Sequence, residues 1–234
     1  MNWYTSFIKP ILFAINPETI HEKAIELGSF ISRFRWIRNI CSYLFRYEHP
    51  MLQQNYFGLS FTTPVGLGAG FDYNINLYNL LYETGFSFFS GGTVTYLPYE
   101  GNHLPRLVRL PKSKSILVNK GFKSDGIVSV LNKLRLYHKH SKSVPGISIG
   151  ATNITSNDTA EKQVIDIVNS LTFLKQHKTY TLFSYVEINI SCPNTKKVDA
   201  LYDPVILDSL LEQTRMIIDD KPIFIKLPLE VSWD

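Results

Sequence analysis

The densest chemistry in this 234-residue chain lies in one short segment, Glu187-Ile188-Asn189-Ile190-Ser191-Cys192-Pro193-Asn194. Asn189 and Asn194 flank Cys192, and each offers an amide donor and an amide acceptor. A thiol so placed can act as base or nucleophile if its surroundings lower its pKa. A single cysteine is more often a small buried apolar side chain. The adjoining Pro193 and the two asparagines argue against packing alone. Other clusters offer complementary chemistry. Gly68-Ala69-Gly70 carries nothing larger than a methyl, so a flat ligand can approach its backbone. Gly91-Gly92-Thr93-Val94-Thr95 and Gly146-Ile147-Ser148-Ile149-Gly150 combine small residues with hydroxyls. Lys226 follows an apolar run; it either points to water or, at the rim of a site, balances a negative ligand. His21, His49, His103, His138, His140 and His177 show no paired metal spacing, so no metal centre is expected.

These clusters need elements that bring them together. From Pro64 onward the texture alternates strand and helix. Candidate strands are Pro64–Gly68, Phe86–Gly92, Gly146–Gly150, Tyr185–Ile190 and Pro222–Leu227. Candidate helices are Asn76–Glu83, Ser124–His138, Asp158–His177 and Val205–Ile218. In a β/α barrel functional groups lie at the C-terminal ends of the strands, which is where the clusters fall. A closed barrel uses eight such units and roughly 250 residues. Five are legible here, so the chain is either an open doubly wound sheet or part of a barrel. Residues 52–62 read as a hairpin ahead of the first strand. Residues 93–123 read as a long connection with apolar pieces at Leu107–Leu110 and Ile116–Val118, a flap over one face.

Residues 1–50 differ from the rest. Asn16-Pro17-Glu18 reads as an N-cap, a first-turn proline and an early acid, opening a helix to about Gly28. Phe30, Phe34, Ile37, Cys41, Leu44 and Phe45 then recur at helical spacing, with Arg33, Arg35, Arg38 and Arg46 and no acid between Ser29 and Arg46. A basic amphipathic helix beside Trp3, Tyr4, Phe7 and Ile11 suits a membrane surface or the mouth of an apolar tunnel. The alternative is a helix packed on its own domain with a solvated basic face. No apolar run reaches the ~20 residues needed to span a bilayer. Two cysteines are too few for a disulfide framework, so a reducing cytosol is the default. The formal charge of +4, with no basic run interleaved with aromatics in the body of the chain, gives no case for nucleic acid.

Taken in order, these motifs resemble the dihydroorotate dehydrogenase family. Pro64-Val65-Gly66-Leu67-Gly68-Ala69-Gly70-Phe71-Asp72 is similar to its first flavin-binding strand. Gly92-Thr93-Val94-Thr95, Gly101-Asn102 and Pro105-Arg106-Leu107-Val108-Arg109-Leu110 resemble the next segment of its quinone-using, membrane-associated class. Asn119-Lys120-Gly121-Phe122 resembles the substrate-contacting loop, Glu187–Asn194 the catalytic loop, and Ile225-Lys226-Leu227-Pro228 the strand with a flavin-contacting lysine. The resemblance implies a (β/α)8 TIM barrel, here with about five of eight units over residues 51–234, behind an N-terminal helical extension over residues 1–50. It implies FMN as cofactor, held by Gly68, Ala69, Gly70, Thr93, Ser148, Asn189 and Lys226. It implies Cys192 as the catalytic base and substrate contacts from Asn119, Lys120, Gly121, Phe122, Asn189 and Asn194. The implied reaction oxidises dihydroorotate to orotate in pyrimidine biosynthesis and passes electrons to a quinone reaching the flavin between the N-terminal helices. The expected location is peripheral, on the cytoplasmic side of a membrane.

The chain departs from the family pattern at four places. Cysteine at position 192 is typical of the soluble class, whereas the quinone class carries serine. Tyr73 stands where the quinone class has a substrate-contacting lysine; Lys120 is the expected compensating cation. The loop at Asn119 is one residue shorter, and Ser148 replaces a flavin-contacting asparagine. The chain also stops after the fifth strand, before the strands that would carry the flavin phosphate site, which suggests a fragment of a longer enzyme. The alternatives are a flavoenzyme acting on another dihydropyrimidine and a non-catalytic remnant.

Overall fold

Asn16 starts the first long helix by capping it: its Oδ1 accepts from the backbone N–H of Glu18 at 2.9 Å and of Thr19 at 3.3 Å. In the computed structural model, which describes residues 3–137, 140, 142–195 and 201–228, a π-helical turn, Tyr4–Ile8, and helix α1, Lys9–Ala14, precede this cap. Helix α2 spans Pro17–Ile31 and α3 spans Arg35–Phe45. The expected stop at Gly28 does not occur, and Phe30 belongs to α2. Gly28 serves close packing instead, since a Cβ there would lie 2.7 Å from the Leu77 side chain.

Strands β1, Gln54–Tyr56, and β2, Leu59–Phe61, form the expected hairpin. Next come β3, Gly66–Leu67, α4, Tyr78–Leu81, and β4, Phe88–Val94. The flap is a second hairpin, β5, Leu107–Leu110, with β6, Ser115–Val118. The chain continues through α5, Ile127–Lys133, β7, Val144–Ile149, α6, Ala160–Gln176, β8, Tyr185–Asn189, α7, Pro204–Ile217, and β9, Ile223–Lys226. Two helices start later than their sequence pattern suggests. The Asp72 carboxylate takes the N–H groups of Asn76 and Leu77, at 2.9 and 2.6 Å, and holds that stretch as a turn before α4. Gly126, at φ +80°, breaks the helical path ahead of α5. The expected end of that helix at His138 lies outside the described residues, as do residues 229–234.

The sheet decides between the two architectures. Strands β3, β4, β7, β8 and β9 are all parallel and lie side by side in sequence order. A doubly wound sheet reverses its strand order at a switch point; this one advances in one direction, as a barrel wall does. The wall is not closed among the described residues.

Period-two alternation divides the wall into two faces. Phe89, Ile147, Ile149, Val186 and Ile188 point outward and are buried. They meet helical rows spaced by three and four: Ile127, Val130 and Leu131 of α5, and Val164, Ile167, Leu171 and Leu174 of α6. The inward face carries Phe88 and Ser90, Gly146 and Ser148, Tyr185, Glu187 and Asn189, and Phe224 and Lys226. Five of these, Phe88, Ser90, Tyr185, Glu187 and Phe224, join Leu67, Gly68 and the β1–β2 hairpin around a cavity of about 370 Å³ at the lower end of the wall.

One irregularity alters the alternation. Gly91 pairs with Ile147 and Val94 with Ile149, so β4 carries one residue more than β7 between these points. Gly92 and Thr93 together face Ser148, the pattern of a β-bulge. The bulge turns Thr93 inward, where its Oγ1 lies 3.1 Å from Ser148 Oγ. Gly92 has φ +122°, and a Cβ there would fall 2.6 Å from the Ser148 carbonyl oxygen. Gly92→Ala is therefore expected to cost about 1–3 kcal/mol from its dihedral alone, with backbone overlap in addition. Thermal or urea denaturation of the purified chain measures this; an unaltered midpoint would show that β4 carries no bulge.

Candidate active site

The upper ends of β3, β4, β8 and β9 converge on a second cavity of about 240 Å³. From β3 it receives Ala69 and Gly70, from β4 Thr93, from β8 Asn189 and Cys192, and from β9 Lys226. Lys120, Gly121 and Phe122, which follow β6, cover it from the flap side, together with Tyr73 and Lys123. Hydrogen bonds tie its floor together. Asn189 Nδ2 donates to Thr93 Oγ1 at 2.6 Å, and Asn189 Oδ1 accepts from the Ser191 N–H and hydroxyl at 3.1 and 2.8 Å. Lys226 Nζ reaches the Ala69 carbonyl at 3.5 Å, bridging the first and last strands of the wall.

The loop after β8 is laced to the flap by amides. Asn102 Nδ2 donates to Asn119 Oδ1 and to the Asn194 carbonyl, both at 2.8 Å. Asn102 Oδ1 accepts from the Tyr99 hydroxyl at 2.6 Å and from Asn153 at 3.0 Å. Asn194 Nδ2 donates to the Val118 carbonyl at 3.1 Å. Gly121 and Phe122 both take positive φ, +64° and +63°, so the shortened loop turns tightly here. A Cβ on Gly121 would strike the Asn102 amide at 2.4 Å. For a bulky residue such as Phe122 this conformation is strained, a feature that clusters at functional sites.

Among the described residues, three lysines and no carboxylate line the cavity. The acids stand just outside it, on α2. Glu22 takes Lys123 at 2.5 Å and accepts a 3.4 Å hydrogen bond from the Tyr73 hydroxyl. Glu18 takes Arg106 at 2.8 Å and lies 3.7 Å from Lys123. The hydrogen bond from Lys123 holds the Glu22 carboxyl below its usual range. Burial pushes the Lys120 ammonium down. Burial pushes the Cys192 thiol up, opposed by the backbone contact at Asn194 and the charge of Lys226. The sequence led us to look for a lowered thiol pKa; desolvation by the cavity walls reverses that direction.

The dihydroorotate dehydrogenase family model matches residues 51–234, most of the chain. The chain belongs to the dihydroorotate dehydrogenase family. Similar relatives include the dihydroorotate dehydrogenase (quinone) of Trichormus variabilis, 33% identical across 100% of this chain and 63% of its own length. The protein of the same name from Christiangramia forsetii is 35% identical over 98% of this chain and 65% of its own. Among solved structures, DHODH from Eimeria tenella in complex with ferulenol superposes with a TM-score of 0.74 at 26% identity, covering 95% of this chain and 64% of that one. The chain thus spans a little under two thirds of the length of these relatives.

Of the residues that the family resemblance nominated, Ala69, Gly70, Thr93, Lys120, Gly121, Phe122, Asn189, Cys192, Asn194 and Lys226 share one cavity. Three do not line it. Ser148 is fully buried behind Thr93, so it supports the floor. Gly68 faces the lower cavity. Asn119 lies on a neighbouring polar cleft with Asn102 and Asn153. Sequence reasoning missed Asn102, Glu18, Glu22 and Lys123. The available signal was charge: from Gly101 to Ser124 the chain carries arginines and lysines and no acid, and their partners had to come from elsewhere.

The flavin implied by the family can be tested against these residues. A Cβ added to Gly70 would meet nothing within 4 Å, so bare backbone faces open space after the end of β3. Lys226 stands across that space as a cation, with the Thr93 hydroxyl and the Asn189 amide beside it. The set fits the ring of a flat ligand able to carry negative charge.

The thiol makes a prediction of its own. Alkylation of Cys192 by iodoacetamide, mapped by mass spectrometry, should rise with pH to a midpoint above that of an ordinary thiol, ~8.5. Lys226→Met removes a cation that favours the thiolate, so the midpoint should move further up. A midpoint that is lower in the variant would contradict the assigned contact.

Proposed function

We propose that the protein to which this chain belongs oxidises dihydroorotate to orotate with FMN as cofactor and passes the electrons to a quinone at a membrane surface. The observation that carries this reading is the convergence of Cys192, Asn189, Asn194 and Lys226 with the open backbone of Ala69–Gly70 in one cavity to which the described residues bring no carboxylate. When bound, the flavin supplies a two-electron acceptor for the hydride at C6 of the substrate. Ala69, Gly70, Thr93, Asn189 and Lys226 would hold it. The chain's own part is to orient the substrate and take a proton. Cys192 accepts the proton from C5 in its thiolate form. Its raised pKa makes it a strong base once ionised, at the cost of a small thiolate fraction near neutral pH. Lys226 enlarges that fraction. The amides of Asn189 and Asn194 grip the ring edge, and Phe122 and Pro193 exclude water.

The N-terminal helices supply the route for the quinone. His21 of α2 has a buried Nε2 without a hydrogen-bond partner among the described residues. Its ring meets Phe71, one residue past Gly70, edge-on at 5.2 Å. This unpaired ring nitrogen next to the flavin strand suits the hydroxyl of the reduced quinone, which can donate to it. Helix α3 has two apolar faces. Cys41 packs on the core, while Trp36, Ile40, Tyr43 and Leu44 form an exposed stripe beside Arg35. With the exposed Trp3, Phe7 and Ile11, that stripe is the surface proposed to lie in the headgroup region on the cytoplasmic side. No described helix is long and apolar enough to cross a membrane.

Two experiments test this. In anaerobic stopped flow, with the flavin-loaded protein, Cys192→Ser should slow bleaching of the flavin band by dihydroorotate at least 10²-fold at neutral pH; an unchanged rate removes Cys192 from its role. Trp36→Glu with Leu44→Glu should abolish pelleting with anionic vesicles while leaving thermal stability within about 0.5 kcal/mol, because both side chains are exposed. Continued pelleting of that variant would refute the proposed membrane face.

A further inference from the structure

The loop after β6 brings two cations to the cavity, Lys120 and Lys123, and the flap brings a third, Arg106, beside it. Helix α2 brings two acids, Glu18 and Glu22. The pairing is unequal. Glu18 binds Arg106 at 2.8 Å, and that guanidinium also donates to the carbonyls of Glu100 and Asn102. Glu22 binds Lys123 at 2.5 Å, with Glu18 3.7 Å from the same ammonium. Lys120 forms no ion pair among the described residues; its ammonium sits over the Tyr73 ring, 5.1 Å from the centroid. Tyr73 is held by its own hydrogen bond to Glu22. An aromatic face stabilises a cation without neutralising it. Lys120 therefore keeps a whole positive charge at the wall of a cavity to which the described residues bring no carboxylate. It is half-buried, and burial works against its charge, so an anion arriving there relieves an unfavourable state.

We propose that Glu18 and Glu22 assign the charges of the substrate loop, fixing Arg106 and Lys123 as structural cations and leaving Lys120, seated on Tyr73, as the anchor for the carboxylate of a planar heterocyclic acid. Lys120 is thus a specificity-determining residue, Tyr73 its seat, and the two glutamates of α2 are positioning residues. The N-terminal extension contributes directly to the selectivity of the pocket. This inference rests on the reading that the cavity takes orotate and dihydroorotate, and it adds which cation reads the carboxylate and why the others cannot.

The test is calorimetric titration of the full chain, with flavin mononucleotide present, against orotate and against uracil, the same ring without a carboxylate. The unmodified protein should prefer orotate. Lys120→Met should weaken orotate roughly 10- to 100-fold and leave uracil unchanged. Removing the neutral pair together, Lys123→Met with Glu22→Gln, should alter orotate affinity less than about threefold, because the two charges already cancel. Lys120→Arg should keep the preference, which separates loss of charge from loss of folding. Lys123 also lies over the Tyr73 ring, 5.8 Å from its centroid, but is neutralised by Glu22; adding Glu22→Gln to Lys120→Met should free that charge and recover at least about threefold in orotate affinity. If the unmodified protein shows no preference for orotate, the reading of the cavity itself fails. If it prefers orotate and Lys120→Met retains that preference, or if Glu22→Gln gives no recovery, the charge assignment fails while that reading stands.

Discussion

Alternation of side chains across a parallel wall, interrupted once, underlies everything else in this structure. Every second residue of β4, β7, β8 and β9 must face the helices; Phe89, Ile147, Ile149, Val186 and Ile188 do so almost wholly buried, and Ile223 and Ile225 of β9 are partly buried. The intervening positions then have to face the barrel interior. Continued without interruption, the pattern would bury Thr93 against the helices. The extra residue in β4 reverses its direction and gives Asn189 its hydrogen-bond partner. Glycine at position 92 makes the bulge sterically possible, because the Ser148 carbonyl occupies the space a side chain would need. The floor of the cavity thus depends on a backbone irregularity as much as on the side chains that form it.

The electrostatics follow a similar division. Within the cavity the described residues supply cations, amides, hydroxyls and a thiol. The acids that keep this charge tolerable are on α2, far away in sequence, and they act through Arg106, Lys123 and Tyr73. An excess of positive charge in a half-buried space is unfavourable by itself. It becomes useful when the ligand carries the missing negative charge. The same surroundings set the thiol. Desolvation opposes the thiolate of Cys192 and Lys226 favours it, so the base is poised between being too scarce and being too weak.

The N-terminal helices are bound to the domain more closely than an appended anchor would need. Gly28 lets α2 approach Leu77, Ile25 joins the main core, and Arg109 of the flap donates to the carbonyls of Leu12 and Ile15 at 3.1 and 2.9 Å. Arg46 stacks on Tyr82 and pairs with Glu48 and Glu83 at the end of α3. These contacts hold the outward apolar stripe of α3 in a fixed relation to the cavity mouth.

Much of this was legible in the residues alone. The strand–helix rhythm, the capped start of α2, the first hairpin and the convergence of Asn189, Cys192 and Lys226 follow from local periodicity and from the rule that barrel sites form at strand ends; that the flap is a second hairpin did not. Element bounds were less legible. Gly28 reads as a helix stop but is a packing contact, and the starts of α4 and α5 depend on the Asp72 turn and on Gly126. Whether five units make a barrel wall or a doubly wound sheet required the strand order, which no window of sequence contains. The inward turn of Thr93, the retreat of Ser148 and Asn119 from the cavity, and the upward shift of the thiol pKa also required the fold. The physical reason is the same in each case. Periodicity and capping are short-range properties carried by neighbouring residues, whereas register, burial and ion pairing are fixed by residues about a hundred positions apart, as Glu22 and Lys123 are, and exist only once the chain has closed on itself.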